Sequence, residues 1–245
     1  LRLFASLLAG VLLSFALPLV AFALLRRMSR LGPVEAAAIA AHYGSISIVT
    51  FVTASAVATA QGLPPEGYMV AVAAAMEAPA IVTALWLATR SGRKGQSDGE
   101  LWREILLNGS IVLLLGAFAI GLITGADGLA RIESFVVSPF QGVLCLFLLD
   151  MGLVAGRGWR SARSLLGPGL LAFGIVMPVV GAAAGLAAGL VLGLSPGGTA
   201  MMMTLCASAS YIAVPAAMRV ALPETNPSLA LPLSLGVTFP FNLVL

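Results

Sequence analysis

Residues 42–47 read His-Tyr-Gly-Ser-Ile-Ser, residues 206–211 read Cys-Ala-Ser-Ala-Ser-Tyr, and each stretch interrupts a long apolar segment. Apolar residues run from position 33 up to the first stretch and continue beyond it to position 60. Small, flexible and hydroxyl-bearing residues let a helix unwind inside a membrane when neighbouring groups satisfy the freed backbone. The two stretches therefore predict two broken helices, and these breaks decide the fold.

The composition indicates a membrane as the main solvent of this chain. Hydrophobic residues make up 60% of the 245 residues and charged residues only 9%, whereas soluble chains carry about 25% charged residues. The net charge of +3 comes from arginines in short loops, which argues against nucleic acid as a partner. We therefore predict an all-α polytopic membrane protein.

Eight apolar segments, A to H, are long enough for membrane helices. They cover residues 3–25, 33–60, 68–89, 105–124, 135–155, 165–192, 197–218 and 229–245. Eleven of the twelve Lys and Arg residues in the seven loops lie in the odd-numbered loops. By the positive-inside rule, the loops after A, C, E and G are cytoplasmic and both ends of the chain lie outside the cell membrane.

Segments A, B and C align with F, G and H at nearly constant offsets. Pro18 matches Pro178 at 160, Gly44 matches Ala207 at 163, and Glu77 matches Thr238 at 161. The loop charges give the two copies opposite directions, which is the signature of an inverted-repeat transporter fold. We assign 1–89 to the first repeat, 90–104 to a cytoplasmic linker and 105–245 to the second repeat. Because the second repeat has five spans, a 5+5 parent lacking its first two spans here is expected.

The paired breaks are the candidate substrate site, because interrupted helices at matching positions of two halves mark such sites in transporters. The N-terminus of a half-helix favours a small anion, serine hydroxyls add donors, and freed carbonyls can hold sodium. The alternative is that these small residues only pack helices together. That packing interpretation is favoured for the glycines of segment F at 181, 185, 189 and 193.

Ionisable residues within spans are functional candidates, because hydrocarbon penalises them. Glu77, close to Pro79, is a candidate sodium ligand or proton carrier, with a structural hydrogen-bonding role as the alternative. His42, the only histidine, borders the first break, where a structural hydrogen bond is the more usual role. Motifs for a zinc protease, a bound diphosphate or a phosphate loop are absent from the sequence. We therefore predict a non-enzyme with no cofactor and no metal centre beyond a coupling sodium ion.

Residues 206–228 carry a family resemblance, with Ser-Ala-Ser-Tyr-Ile-Ala-Val-Pro at 208–215 and Leu-Pro-Glu-Thr-Asn-Pro-Ser at 222–228. They resemble the sodium-dependent bicarbonate transporter family of SbtA type, and the resemblance extends over nearly the whole chain. It implies ten spans in two inverted halves, homotrimers and a PII-like cytoplasmic regulator. It implies bicarbonate binding at the following positions: Gly44, Ser45, Ser47, Ala207, Ser208 and Ser210.

The resemblance also implies that Glu77 and Thr238 support the cation site. Tyr211 is the third cation-site candidate, and it departs from the family pattern because an acidic residue is expected there in cyanobacterial members. Three hypotheses follow. The first is import of bicarbonate with sodium, the second is a permease of the same fold for another small or organic anion, and the third is a membrane receptor or scaffold with loop 90–103 as the docking site for a cytoplasmic partner.

Overall fold

The computed structural model describes residues 2–90, 109–140, 142–143, 145–146, 149–150, 153, 156–157, 166–222, 224–225 and 227–244. These residues form helices, and no strand occurs among them. Eight of the 21 residues of segment E and all of the predicted linker beyond residue 90 lie outside the described residues. The helices are α1 (Arg2–Met28), α2 (Pro33–Gly44), α3 (Ile48–Ala60), α4 (Met69–Ala75), α5 (Glu77–Arg90), α6 (Gly109–Val136), α7 (Pro168–Leu192), α8 (Pro196–Ala207), α9 (Ala213–Ala221), α10 (Pro227–Leu233), a π-helical turn (Ser234–Thr238) and α11 (Phe239–Val244).

Four helical stretches in the described part of the chain are long and apolar enough to cross a membrane. They are Arg2–Met28, Pro33–Ala60, Met69–Ala88 and Pro168–Leu192, and they coincide with segments A, B, C and F. Leu229–Val244 in segment H is a shorter apolar helix. The chain is thus a helical protein with several membrane-length helices, while the number of eight spans stays a prediction.

Two of the predicted segments are broken helices. In segment B, α2 ends at Gly44 and α3 begins at Ile48, and in segment G, α8 ends at Ala207 and α9 begins at Ala213. Both α2 and α8 start with a proline, whose missing N–H costs nothing at a first helical position. The first break, 45–47, therefore lies within the first stretch that the sequence singles out, and the second break, 208–212, begins in the second stretch and ends one residue beyond it.

Glycines on α7 bring this helix close to α8. A side chain at Gly181 would collide with the backbone of Cys206 and Ala207, and one at Gly185 would collide with the backbone of Met202 and Met203. Small residues at four-residue spacing allow helix backbones to approach in this way. The packing interpretation of the segment F glycines is therefore confirmed at these positions.

The two halves meet at both ends of the helices. The start of α7 lies against the end of α1, since a side chain at Gly169 would strike the carbonyl group of Met28. At the opposite end, Glu66 Oε1 accepts a hydrogen bond of 2.8 Å from the backbone N–H of Ser195, just before α8. The contact between α1 and α7 is therefore antiparallel, and the loops after α3 and after α7 lie at one end.

Helix α6 extends further than the sequence predicts. Segment D was expected to end at residue 124, but after a break at Gly125, where φ is 60°, helix continues to Val136. The charged residues after Gly125 suggested a loop, yet Asp127 and Arg131 are four residues apart, a spacing that suits the surface of a helix. Apolar side chains of α6 point outward, including Leu122, Ile123 and Phe135.

Candidate functional site

The two helix breaks lie against each other in the interior. The backbone N–H of Ser210 donates to the carbonyl of His42 at 2.7 Å, and the ring Nδ1 of His42 lies 2.6 Å from the carbonyl oxygen of Ser210. The backbone N–H of Ser47 donates to Ser208 Oγ at 3.0 Å. All four residues are buried. The structure thus brings together three of the predicted substrate residues from both halves, Ser47, Ser208 and Ser210.

The hydroxyl groups of these serines cap helix ends. Ser47 Oγ accepts from the backbone N–H of Thr50 at 3.2 Å and from its hydroxyl at 2.9 Å, and Ser210 Oγ accepts from the N–H of Val214 at 3.3 Å. Ser208 Oγ donates to the carbonyl of Leu205 at 3.0 Å. Such bonds satisfy backbone groups that a broken helix leaves free, so the serines stabilise the breaks themselves.

Two hydroxyl groups at the crossing have no hydrogen-bond partner. Ser45 Oγ and the Tyr211 hydroxyl are buried without one, in residues that are 1% and 7% exposed. The Tyr211 ring packs edge-on against Phe239 at 5.5 Å, and its hydroxyl lies near the side chains of Ser47 and Thr50 but does not reach hydrogen-bond geometry with either. Because an unsatisfied buried hydroxyl is costly, the two groups are candidate donors to a bound ligand.

The carbonyl groups at the ends of α2 and α8 accept bonds from side chains that the sequence analysis missed. Ser14 Oγ lies between the carbonyl oxygens of Gly44 at 3.0 Å and Met76 at 2.5 Å, which share its single hydrogen, and Asn242 Nδ2 donates to the carbonyl of Ala207 at 2.9 Å. Gly44 itself has no room for a side chain, because a Cβ would meet the ring of Pro18. Ser14 and Asn242 are isolated polar residues in apolar segments, and that is the signal that would have found them.

The breaks expose four helix ends within the protein. Helices α3 and α9 begin beside the crossing, and α2 and α8 end there. A helix N-terminus carries the positive end of the helix dipole and favours an anion, whereas a C-terminus favours a cation. The same crossing can therefore offer sites of both signs without a charged side chain.

The predicted cation residues have different hydrogen-bond partners. Thr238, in the π-helical turn, donates to the carbonyl of Gly174 at 2.7 Å, and its hydroxyl lies 2.7 Å from that of Tyr43. Glu77 begins α5, is buried, and has no partner for Oε2. Among the described residues, no hydrogen bond or ring contact joins Glu77 to Thr238 or Tyr211, and no cluster of His, Cys, Asp and Glu suits a metal ion.

A cavity of about 280 Å³ lies beside the second break, between α7, α8 and α11. Its walls are largely apolar, with the amide of Asn242 and the hydroxyl-bearing Thr204 as their polar members. The lining residues are Pro178, Val179, Ala182, Ala200, Met203, Thr204, Ala207, Phe241 and Asn242.

Membrane-length apolar helices and a buried crossing of two broken helices define this chain as a multi-pass membrane protein of transporter type. A comparison with protein families agrees with this class over the full length of the chain. The chain belongs to the Na+-dependent bicarbonate transporter superfamily, whose profile matches residues 1–245. Membership places it among transporters rather than enzymes. No curated protein matches the chain significantly.

Proposed function

We propose that this protein is a secondary active transporter that imports bicarbonate with sodium across the cell membrane. The observation that carries the proposal is the crossing of two broken helices, where the hydroxyl groups of Ser45 and Tyr211 are buried without partners. Membership of the superfamily supplies the substrate and the coupling ion. The transport mechanism is movement of one helix bundle past another around the crossing.

Bicarbonate suits the chemistry of the crossing. It is a small monovalent anion that accepts several hydrogen bonds, and the N-termini of α3 and α9 favour an anion there. The substrate residues of the proposal are those expected from the sequence: Gly44, Ser45, Ser47, Ala207, Ser208 and Ser210. Of these, Ser45 offers a hydroxyl that no protein group occupies.

Sodium is the coupling ion of the proposal, with Glu77, Thr238 and Tyr211 supporting its site. A buried carboxylate with an oxygen that lacks a partner, such as Glu77 Oε2, is unfavourable in a membrane interior and is stabilised by a cation. Thr238 Oγ1 contributes a neutral oxygen atom, and the Tyr211 hydroxyl contributes another, while the hydrogen of that hydroxyl can donate to the anion at the crossing.

An inverted repeat is the architecture that we propose. Val72 and Met76 face a glycine of α1, Gly10, while Leu233 and Val237 face a glycine of α7, Gly174. The two apolar pairs are related by 161 positions, the offset that relates segments C and H, while the two glycines are 164 positions apart, about one helical turn from the offset of 160 between segments A and F. Matching contacts in the two halves support the repeat, and so does the antiparallel contact of α1 with α7.

The proposed orientation places both chain ends outside the membrane and the linker 90–104 in the cytoplasm. The meeting of the loops after α3 and α7 at Glu66 and Ser195 supports this arrangement, because the loop charges predict that both face outside. A homotrimer and a PII-like regulator that docks from the cytoplasm complete the proposal on the basis of the family resemblance.

An uptake assay tests the function. The full-length protein is reconstituted into vesicles, and labelled bicarbonate is added with an inward sodium gradient, with equal sodium on both sides, or with potassium in place of sodium. Accumulation only under the sodium gradient is the expected result. Accumulation that ignores sodium would reject the coupling, and absence of flux for every small anion would favour a receptor or scaffold.

A permease for another small or organic anion is the second candidate function. Tyr211 favours it, because a neutral phenol stands at the crossing where the family resemblance leads us to expect an acidic residue. In the same assay, formate, acetate and nitrate compete with labelled bicarbonate. Stronger uptake of one of these ions than of bicarbonate would select this second function.

A further inference from the structure

The last turn of α2 is tied to the second break by a reciprocal pair of hydrogen bonds. The ring Nδ1 of His42 lies 2.6 Å from the carbonyl oxygen of Ser210, and the N–H of Ser210 donates to the carbonyl of His42 at 2.7 Å. Both residues are 2% exposed. One residue of the first half thus engages both backbone groups of one residue of the second half.

The chemistry of the ring follows from its partner. A carbonyl oxygen can only accept, so Nδ1 must carry the hydrogen. In a neutral imidazole the second nitrogen, Nε2, is then bare. His42 therefore donates its hydrogen bond from Nδ1. A substitution can either keep a donor at that position or remove it.

The bonded residue of the second half lies among the site groups. Ser208, two residues before Ser210, accepts from the N–H of Ser47 at 3.0 Å. Tyr211, the next residue, carries one of the two buried hydroxyls at the crossing that have no partner. A shift of Ser210 would therefore displace Tyr211 relative to Ser45, which is held at the end of α2 three residues beyond His42.

We propose that His42 is a positioning residue of the anion site, whose bonds with Ser210 hold the two helix breaks in register so that Ser45 and Tyr211 face one ligand. This inference rests on the proposed function, because it assigns His42 a role in the binding of the transported anion. The inference requires that the hydrogen bond at Nδ1, rather than the size of the imidazole ring, determines the affinity for the anion.

The neighbouring tyrosine supplies a matched control. The Tyr43 hydroxyl lies 2.7 Å from Thr238 Oγ1, so it ties the same turn of α2 to the π-helical turn of the second half and not to the second break. Thr238 keeps its bond to the carbonyl of Gly174 when Tyr43 is replaced by phenylalanine. Tyr43→Phe therefore removes one buried bond of that turn and leaves the pair with Ser210 intact.

The binding test uses His42→Asn, His42→Gln and Tyr43→Phe in the full-length protein, with bicarbonate affinity measured by calorimetry in saturating sodium. An asparagine amide places its N–H groups near the position of Nδ1, and a glutamine amide places them near Nε2. We expect wild-type affinity in His42→Asn and Tyr43→Phe, and roughly tenfold weaker binding in His42→Gln, as loss of a buried bond predicts. Equal affinity of the Asn and Gln variants, or equal weakening by Tyr43→Phe, would overturn the positioning role.

A spectroscopic test does not depend on transport. In ¹⁵N-histidine-labelled protein, the signal that disappears in His42→Asn belongs to His42, and we expect its proton on Nδ1. A proton found only on Nε2 would overturn the inference even if bicarbonate is transported. Failure of the wild type to bind any bicarbonate, with the Nδ1 proton present, would instead reject the proposed function and retain the contact between the breaks.

Discussion

Ser45 and Ser208 occupy matching positions at the ends of α2 and α8, yet their hydroxyl groups behave differently. Each is the residue that follows the last helical residue, and its backbone N–H still bonds into the preceding helix. Ser208 Oγ joins the two breaks by accepting from Ser47, while Ser45 Oγ has no protein partner. Ser208 therefore stabilises the crossing, whereas the Ser45 hydroxyl is free to bind a ligand.

Replacement of Ser45 by alanine tests that separation. Ser45→Ala breaks no protein hydrogen bond, so the thermal midpoint should stay unchanged, while bicarbonate affinity should fall roughly tenfold because a donor to the anion is lost. Ser6→Ala is the matched control, since Ser6 Oγ is also buried without a partner but lies in α1 near the start of the chain. Equal affinity in the two variants, measured by calorimetry, would remove Ser45 from the site.

Glu77→Gln tests the proposed cation site. The substitution keeps the size of the side chain and removes its charge, so the sodium concentration for half-maximal bicarbonate binding should rise about tenfold, equivalent to about 1.4 kcal/mol. Glu133→Gln is the control, because Glu133 is an exposed carboxylate on α6. An unchanged sodium profile in Glu77→Gln would leave Glu77 with a structural role only.

At the scale of the elements, close packing of α7 on α8 holds the second break in place. Gly181 lies against the backbone of Cys206 and Ala207, where α8 ends. The contact leaves no space for a methyl group. The sequence spacing of the α7 glycines and the geometry of the break are therefore connected through one helix interface.

Gly181→Ala should destabilise the protein by about 1–3 kcal/mol, because an added methyl group in a well-packed interface forces the backbones apart. Bicarbonate affinity should fall with it, since the displaced backbone is that of the break. Gly116→Ala on α6 is the control, where a Cβ meets nothing and helix propensity favours alanine. Thermal unfolding in detergent measures both variants, and equal midpoints would contradict the interface.

At the scale of the whole molecule, the contacts at the helix ends relate the two halves. The end of α1 meets the start of α7, and the loop after α3 meets the residue that caps α8. Segments A and F therefore run in opposite directions, as the loop charges predict. Which end of the bundle faces the cytoplasm is decided by those charges alone.

Cysteine labelling in intact cells tests the orientation. In a background with Cys145→Ser and Cys206→Ala, Gln61→Cys should react with a membrane-impermeant maleimide from outside, and Ser97→Cys should react only after the membrane is opened. Gln61 is exposed in the structure, and Ser97 lies outside the described residues. The reverse labelling pattern would invert the topology, and labelling of both from outside would reject the span count.

The sequence predicted helical segments and break positions well because both depend on local chemistry. A membrane segment needs a run of apolar residues, and small or hydroxyl-bearing residues such as Gly and Ser loosen a helix wherever they occur. The ends of α2 and α8 and the starts of α3 and α9 therefore lie where the composition changes. The extent of α6 was underestimated, because Asp127, Arg131 and Glu133 favour a loop and a helix surface equally in a single sequence.

Three features follow from the sequence by itself, since each depends on composition or on spacing along one segment. They are the membrane environment, the helix breaks at 42–47 and 206–211, and the close-packing glycines of α7. Only the tertiary structure decided which groups meet. The bonds of His42 with Ser210, of Tyr43 with Thr238 and of Asn242 with Ala207 join residues 35 to 195 positions apart. Such pairings depend on how helices cross, and no local pattern encodes that geometry.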